Sequence, residues 1–210
     1  DTLAGAGVRF PNTFTTAGVC APSRAAHITG VHQIAFGAQH MRTRSFNPTP
    51  YRSVPPAEVK AYPELLRAAG YYTFTNHKLD YQFSNYGAGT GPFTIWDYEG
   101  NKPGWDLRDE GQPFFGLINF GITHESQMFS KNVKKNLANG IPKRVAPDMV
   151  SVPPYYPDTP TVRKDIARQY DNISEMDRQV GQWLERLRKD GLDDNTIVIW
   201  TTDHGDGLPR

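Results

Sequence analysis

Pro63-Glu64-Leu65-Leu66-Arg67-Ala68-Ala69-Gly70-Tyr71-Tyr72-Thr73-Phe74-Thr75 sets the frame for this 210-residue chain. Pro63 to Ala69 (PELLRAA) reads as a short helix. No breaker follows until Gly70, which is placed to end the helix. Tyr71 to Thr75 is then a β-rich run that begins directly after the turn. A longer version of the same order lies near the other end. Val162, Ile166, Tyr170, Ile173, Val180, Leu184 and Leu187 recur at three-, four- and seven-residue steps, which predicts a helix over 162–187. Gly191 closes it, Asp193-Asp194-Asn195 turns, and Thr196 to Thr201 (TIVIWT) reads as an apolar strand. Between them, Phe114 to Phe120 (FFGLINF) is a near-continuous apolar run of the kind covered on both faces. Helix, tight turn, buried strand is the order of an α/β fold with a mostly parallel central sheet flanked by helices.

Composition narrows the class. Lys plus Arg number 23 against 22 acids, a net charge of +1, so there is no basic stripe for nucleic acid and no polybasic membrane patch. No apolar run approaches the roughly 20 residues that span a bilayer. The 17 prolines concentrate at 48–63 and 142–160; with tyrosines among them, both stretches read as ordered, irregular excursions. Residues 1–10 (DTLAGAGVRF) read as part of a helix.

Polar residues gather just beyond the strands. Lys78 and Asp80 follow the first, His124 and Glu125 the second, Asp203 and His204 the third. In open parallel sheets, ligands bind beyond the carboxyl ends of the strands.

Cys20 to Gly30 (CAPSRAAHITG) carries the sharpest chemistry and the chain's single cysteine, which cannot form an intrachain disulfide. Pro22 suits the first turn of a helix over 23–28, and Thr29-Gly30 stops it. Cys20 then stands at a helix N-terminus, where free N–H groups and the dipole favour an anion. Arg24 offers a planar fork of hydrogen bonds to an oxyanion.

Cysteine, one spacer, then Pro-Ser-Arg resembles the maturation signature of the type I, formylglycine-dependent sulfatases, of the alkaline-phosphatase-like superfamily, and Cys20 to Gly30 is similar to that motif at most positions; His27 departs, standing where an aliphatic residue is usual. The resemblance implies that Cys20 is oxidised to Cα-formylglycine by a formylglycine-generating enzyme. One hydroxyl of the hydrated aldehyde then attacks sulfur while the alcohol leaves. It further implies a single Ca²⁺ held by Asp203, His204 and the modified Cys20. Asp203 is a suitable hard-oxygen ligand, whereas imidazole suits softer metals and makes His204 the weaker assignment. Catalytic roles fall to Cys20, Arg24, Lys78 as a sulfate-binding cation, and His124 as donor of the leaving-group proton. The family often reads Lys-x-His where this chain has Lys78-Leu79-Asp80, so position 80 has no assigned role, and His77 is a neighbouring alternative. His32, His40 and Arg42 are pocket candidates, with structural roles the commoner alternative. Asn172-Ile173-Ser174 is a sequon within the long helix and is read as a chance match.

The resemblance covers essentially all 210 residues as a partial catalytic domain, incomplete at both ends. Set against the family, the expectation is a piece of a longer gene product, without the first acidic metal-binding strand, Asp1 being the only acid before Cys20, and without the C-terminal subdomain. The implied activity is hydrolysis of a sulfate monoester of a small molecule or glycan, in an extracytoplasmic compartment. Alternatives are a phosphodiesterase or phosphonate monoester hydrolase of the same superfamily, and a non-catalytic binder of sulfated glycans.

Overall fold

The computed structural model describes residues 2–41, 51–83 and 94–205. Two compact units emerge: residues up to Asn119 together with Thr201–Gly205, and Phe120–Trp200.

The first unit holds α1 (Thr2–Gly5), α2 (Cys20–Thr29), α3 (Tyr62–Ala68), β1 (Tyr72–Thr75), β2 (Tyr98–Glu99) and β3 (Phe114–Leu117). The strands form a parallel sheet in the order β2-β1-β3. α3 runs into β1 as its sequence predicts. Gly70 takes a left-handed φ of 90°, and the N–H groups of Gly70 and Tyr71 return to the carbonyls of Arg67 and Leu66. At the other end of α3 the Glu64 carboxylate accepts the Ala61 N–H at 2.9 Å. β1 is buried throughout, as a central strand should be. α2 contributes Ala25 and Ile28 to a core completed by Phe36, Leu79, Tyr81, Phe83, Ile95 and Trp96.

Three expectations change. β3 is shorter than the 114–120 run and only partly covered, since among the described residues it pairs with β1 alone. Residues 196–201 pair with no described strand, and Ile197, Ile199 and Trp200 are exposed. β-branched side chains favour a strand only where a neighbour takes up the backbone groups and side chains, and the described strands offer none. The helix read across residues 1–10 is confined to Thr2–Gly5, since glycines at 5 and 7 weaken its continuation.

The second unit holds α4 (Ser130–Ala138) and α5 (Pro160–Lys189). The Thr159 hydroxyl caps α5 by accepting the Val162 N–H, and Gly191 ends it at φ 66°. Its buried residues only partly follow the apolar stripe that the periodicity selects: Leu187 is buried, as are Ala167 and Met176. Tyr170 and Ile173 are exposed, while Arg168, Gln169, Asp171 and Asn172 are buried. The reason is the irregular excursion that packs on α5, whose backbone groups need partners. Asp171 accepts the N–H groups of Arg144 and Val145, Arg168 donates to the Pro142 carbonyl, and Gln169 donates to that of Thr123. Asn172 is fully buried inside the helix, which agrees with the sequon being fortuitous. Among the described residues no helix is long and apolar enough to cross a membrane.

Two outcomes test this packing. A Cβ on Gly116 would fall within contact distance of the fully buried Phe74 ring. Gly116→Ala should therefore lower stability by about 1–3 kcal/mol in denaturant unfolding. On α5, hydrogen bonds from Arg178 and Gln179 lower the Glu175 carboxyl from its ordinary 4.5 to about 2. A depressed carboxyl stabilises the fold above its ordinary pKa and loses that contribution as pH falls through the folded value. Glu175→Gln should thus melt below the parent at neutral pH, with the gap closing as acid is added from pH 4.5 towards about 2.

Candidate functional site

Cys20 is the first residue of α2, preceded by an extended Val19 without a side-chain cap, so the helix's first N–H groups are left to other partners. Its Sγ lies 3.4 Å from His204 Nε2. Ser23, one turn on, is shared between the Asp203 carbonyl, to which its hydroxyl donates, and the Thr15 hydroxyl at 2.7 Å. The Asp203-His204 segment is thereby fastened to the start of α2 in two places. Cys20, Asp203 and His204 each offer a ligand atom within 4.8 Å of the others.

The chemistry of this donor set fits one side of a divalent-cation shell. The His204 Nδ1 faces the Gly205 carbonyl at 2.8 Å, which makes it the N–H donor and leaves the Nε2 lone pair towards the cluster. A calcium ion takes six to eight oxygens; Asp203 supplies oxygen as it stands, and Cys20 does so only after oxidation. The thiol and imidazole by themselves suit softer metals.

Arg24, four residues after Cys20, joins the segments. It is 9% exposed, and its donors face protein groups. Nη2 donates to the Lys78 carbonyl at 2.8 Å and to Asn119 Oδ1 at 2.7 Å. Nε faces Asp80 Oδ1, and Nη1 faces Asp203 Oδ2, both at 3.5 Å. The fork expected to meet an oxyanion is occupied by the protein itself. The guanidinium also lies 5.7 Å from the centroid of the Tyr81 ring. Burial opposes the Arg24 charge, but Tyr81, Asp80 and Asp203 outweigh it and hold its pKa above the ordinary value. Burial pushes Tyr81 up to about 12, so it is neutral at physiological pH and the two carboxylates carry the compensating charge.

Sequence reasoning missed the pair that anchors Arg24. Asn76 and Asn119 follow β1 and β3, and they bond reciprocally. Asn119 N–H donates to Asn76 Oδ1 and Asn76 Nδ2 donates to the Asn119 carbonyl, both at 2.8 Å. Asn119 Nδ2 also donates to Asn76 Oδ1 and to the His77 carbonyl. The available signal was an asparagine just past each of two strands. Asp80, left without a role by the sequence, is fully buried.

The remaining candidates divide. Lys78 enters the cluster through its carbonyl, and His77 is exposed. His32 Nδ1 accepts the Ile34 N–H at 3.5 Å, and His40 Nδ1 sits 2.8 Å from the Met41 carbonyl, with its ring beside Tyr51; both are structural contacts. Arg42 lies outside the described residues. His124 belongs to the second unit, where its Nδ1 meets the Ser126 hydroxyl at 2.8 Å and accepts the Ser126 N–H at 3.2 Å. That acceptor role assigns the neutral ring's proton to Nε2. Gln169 steadies this turn from α5 through the Thr123 carbonyl.

The family model described as Sulfatase matches residues 1–106 and 104–210. The chain belongs to the sulfatase family. With it comes membership of the alkaline-phosphatase-like superfamily, in accord with the parallel sheet and its helices. An ulvan-active sulfatase of Formosa agariphila is 40% identical over 99% of this chain and 39% of its own length. Human N-sulphoglucosamine sulphohydrolase is 28% identical over all of this chain and 46% of its own length. Human N-acetylgalactosamine-6-sulfatase is 27% identical over 99% of the chain. The chain thus spans less than half the length of these sulfatases. The family is of the formylglycine, metal-dependent type and acts on sulfated substrates.

The asparagine pair gives a test of the scaffold. Asn76→Ala strands the Asn119 N–H and carbonyl and frees the Arg24 acceptor, so it should cost about 1–3 kcal/mol in urea unfolding.

Proposed function

We propose that the protein hydrolyses a sulfate monoester, and that position 20, oxidised to Cα-formylglycine by a maturation enzyme, is its nucleophile. The observation that carries this reading is the meeting of Cys20, at the N-terminal tip of α2, with Asp203 and His204. Relatives named for activity on ulvan and for N-sulphoglucosamine support a sulfated carbohydrate as the substrate class. Part of a larger catalytic domain, acting outside the cytoplasm, is the setting this reading supplies.

A sulfate monoester combines a negative charge with a poor leaving group, so its hydrolysis needs a nucleophile, cationic partners and a proton donor. When present, formylglycine supplies a nucleophilic hydroxyl and Ca²⁺ a Lewis acid for sulfate oxygen. Position 20, Asp203 and His204 would hold that ion. The N–H groups at the start of α2 favour the negative charge that builds at position 20. Lys78 binds sulfate oxygen as a point charge. His124 donates its Nε2 proton to the departing oxygen while Ser126 fixes the other nitrogen. Arg24 acts through others: it holds Asp203, the 78–80 turn and Asn119 in register rather than gripping substrate.

The test uses the complete protein co-expressed with a maturation enzyme. Mass spectrometry across Cys20 should find the thiol converted, and an aryl sulfate should turn over faster than an aryl phosphodiester. Cys20→Ala should reduce turnover to background with little change in the unfolding transition. Substantial residual turnover would remove the covalent reading, and preference for the phosphodiester would reassign the reaction.

A further inference from the structure

Two carboxylates face Arg24 at the same distance, 3.5 Å, but they differ in kind. Asp80 is fully buried, whereas the Asp203 side chain is 25% exposed and belongs to the cluster with Cys20 and His204. The Asp203 oxygens divide accordingly. Oδ2 faces Arg24, and Oδ1 lies 3.7 Å from His204 Nε2. A guanidinium removed from water must have its charge compensated nearby. Were Asp203 the sole counter-charge, the arginine would compete for it against any cation in the cluster.

The backbone around Asp80 is shaped to bring that residue inward. Lys78 and Gln82, on either side of it, are the non-glycine residues with positive φ among the described residues, at 86° and 75°. Such conformations are costly and persist where surroundings over-determine them. Here the Lys78 carbonyl is held by Arg24, and Gln82 Nε2 donates to the His40 carbonyl. The turn carrying Asp80 is thus held at both ends, by Arg24 at Lys78 and by the His40 carbonyl at Gln82. A histidine at position 80 could not neutralise a guanidinium; a carboxylate can.

We propose that Asp80 is a positioning residue: it supplies the standing counter-charge of Arg24 and so leaves the Asp203 carboxylate available to a divalent cation. This rests on the metal-dependent reading above. Asp80 touches neither substrate nor ion; it sets how tightly the ion is held.

Calorimetric titration of the complete protein with Ca²⁺ alone tests this without relying on turnover. Asp80→Asn should weaken Ca²⁺ binding about tenfold or more, the scale of losing support behind a metal ligand. The double variant Arg24→Gln/Asp80→Asn removes both the competitor and its counter-ion. It should bind within about threefold of Arg24→Gln alone, as expected when Asp80 acts only through the arginine. If Asp80→Asn fails to fold, the comparison of the double variant with Arg24→Gln carries the test. Unchanged affinity in Asp80→Asn overturns the inference alone, as does a further loss of affinity when Asp80→Asn is added to Arg24→Gln. A parent protein that binds no Ca²⁺ overturns the metal-dependent reading and the inference together.

Discussion

A positive charge buried at Arg24 constrains everything around it. Transfer of a guanidinium out of water is tolerable only when hydrogen-bond acceptors and counter-charges surround it. Here those partners come from three places far apart in the chain, the 78–80 turn, Asn119 and Asp203, with Tyr81, next to that turn, beneath the cation. The charge is satisfied only once these segments have met. Because Arg24 lies one turn beyond Cys20 on the same helix, fixing the guanidinium also fixes the helix tip where the cysteine stands.

The sheet makes that meeting possible. Parallel pairing of β1 with β3 sets Thr75 opposite Leu117, and the two chains leave the sheet side by side. Asn76 and Asn119 then bond to each other's backbone and side chain at the carboxyl ends of the strands. One amide oxygen remains for Arg24. The polar rim is thus a direct continuation of the strand register, which is why the chemistry collects there.

Much of this was legible in the residues. The α3–Gly70–β1 unit, the helix after Cys20, and the convergence of Cys20 with Asp203-His204 follow from turn chemistry, apolar runs and the motif. The remainder depends on partners that no local pattern encodes. TIVIWT has a strand's composition but no described neighbour to complete a ladder. Part of the buried face of α5 is polar because the 142–145 segment and Thr123 need their backbone groups satisfied, and periodicity registers only apolar spacing. Asp80 had no role assignable from the sequence; it proves to face the arginine, a pairing 56 residues apart that is visible only in three dimensions.

The account turns on position 20 and Asp203 sharing one cation beside the Arg24 cluster. A crystal structure of the mature, complete protein grown with Ca²⁺ measures this directly. The account predicts oxygen atoms of residue 20 and Asp203 on the same ion, at about 2.3–2.6 Å, with Arg24 still closed on Asp80. An ion bound elsewhere, or Asp203 turned fully to Arg24 and away from residue 20, would contradict it.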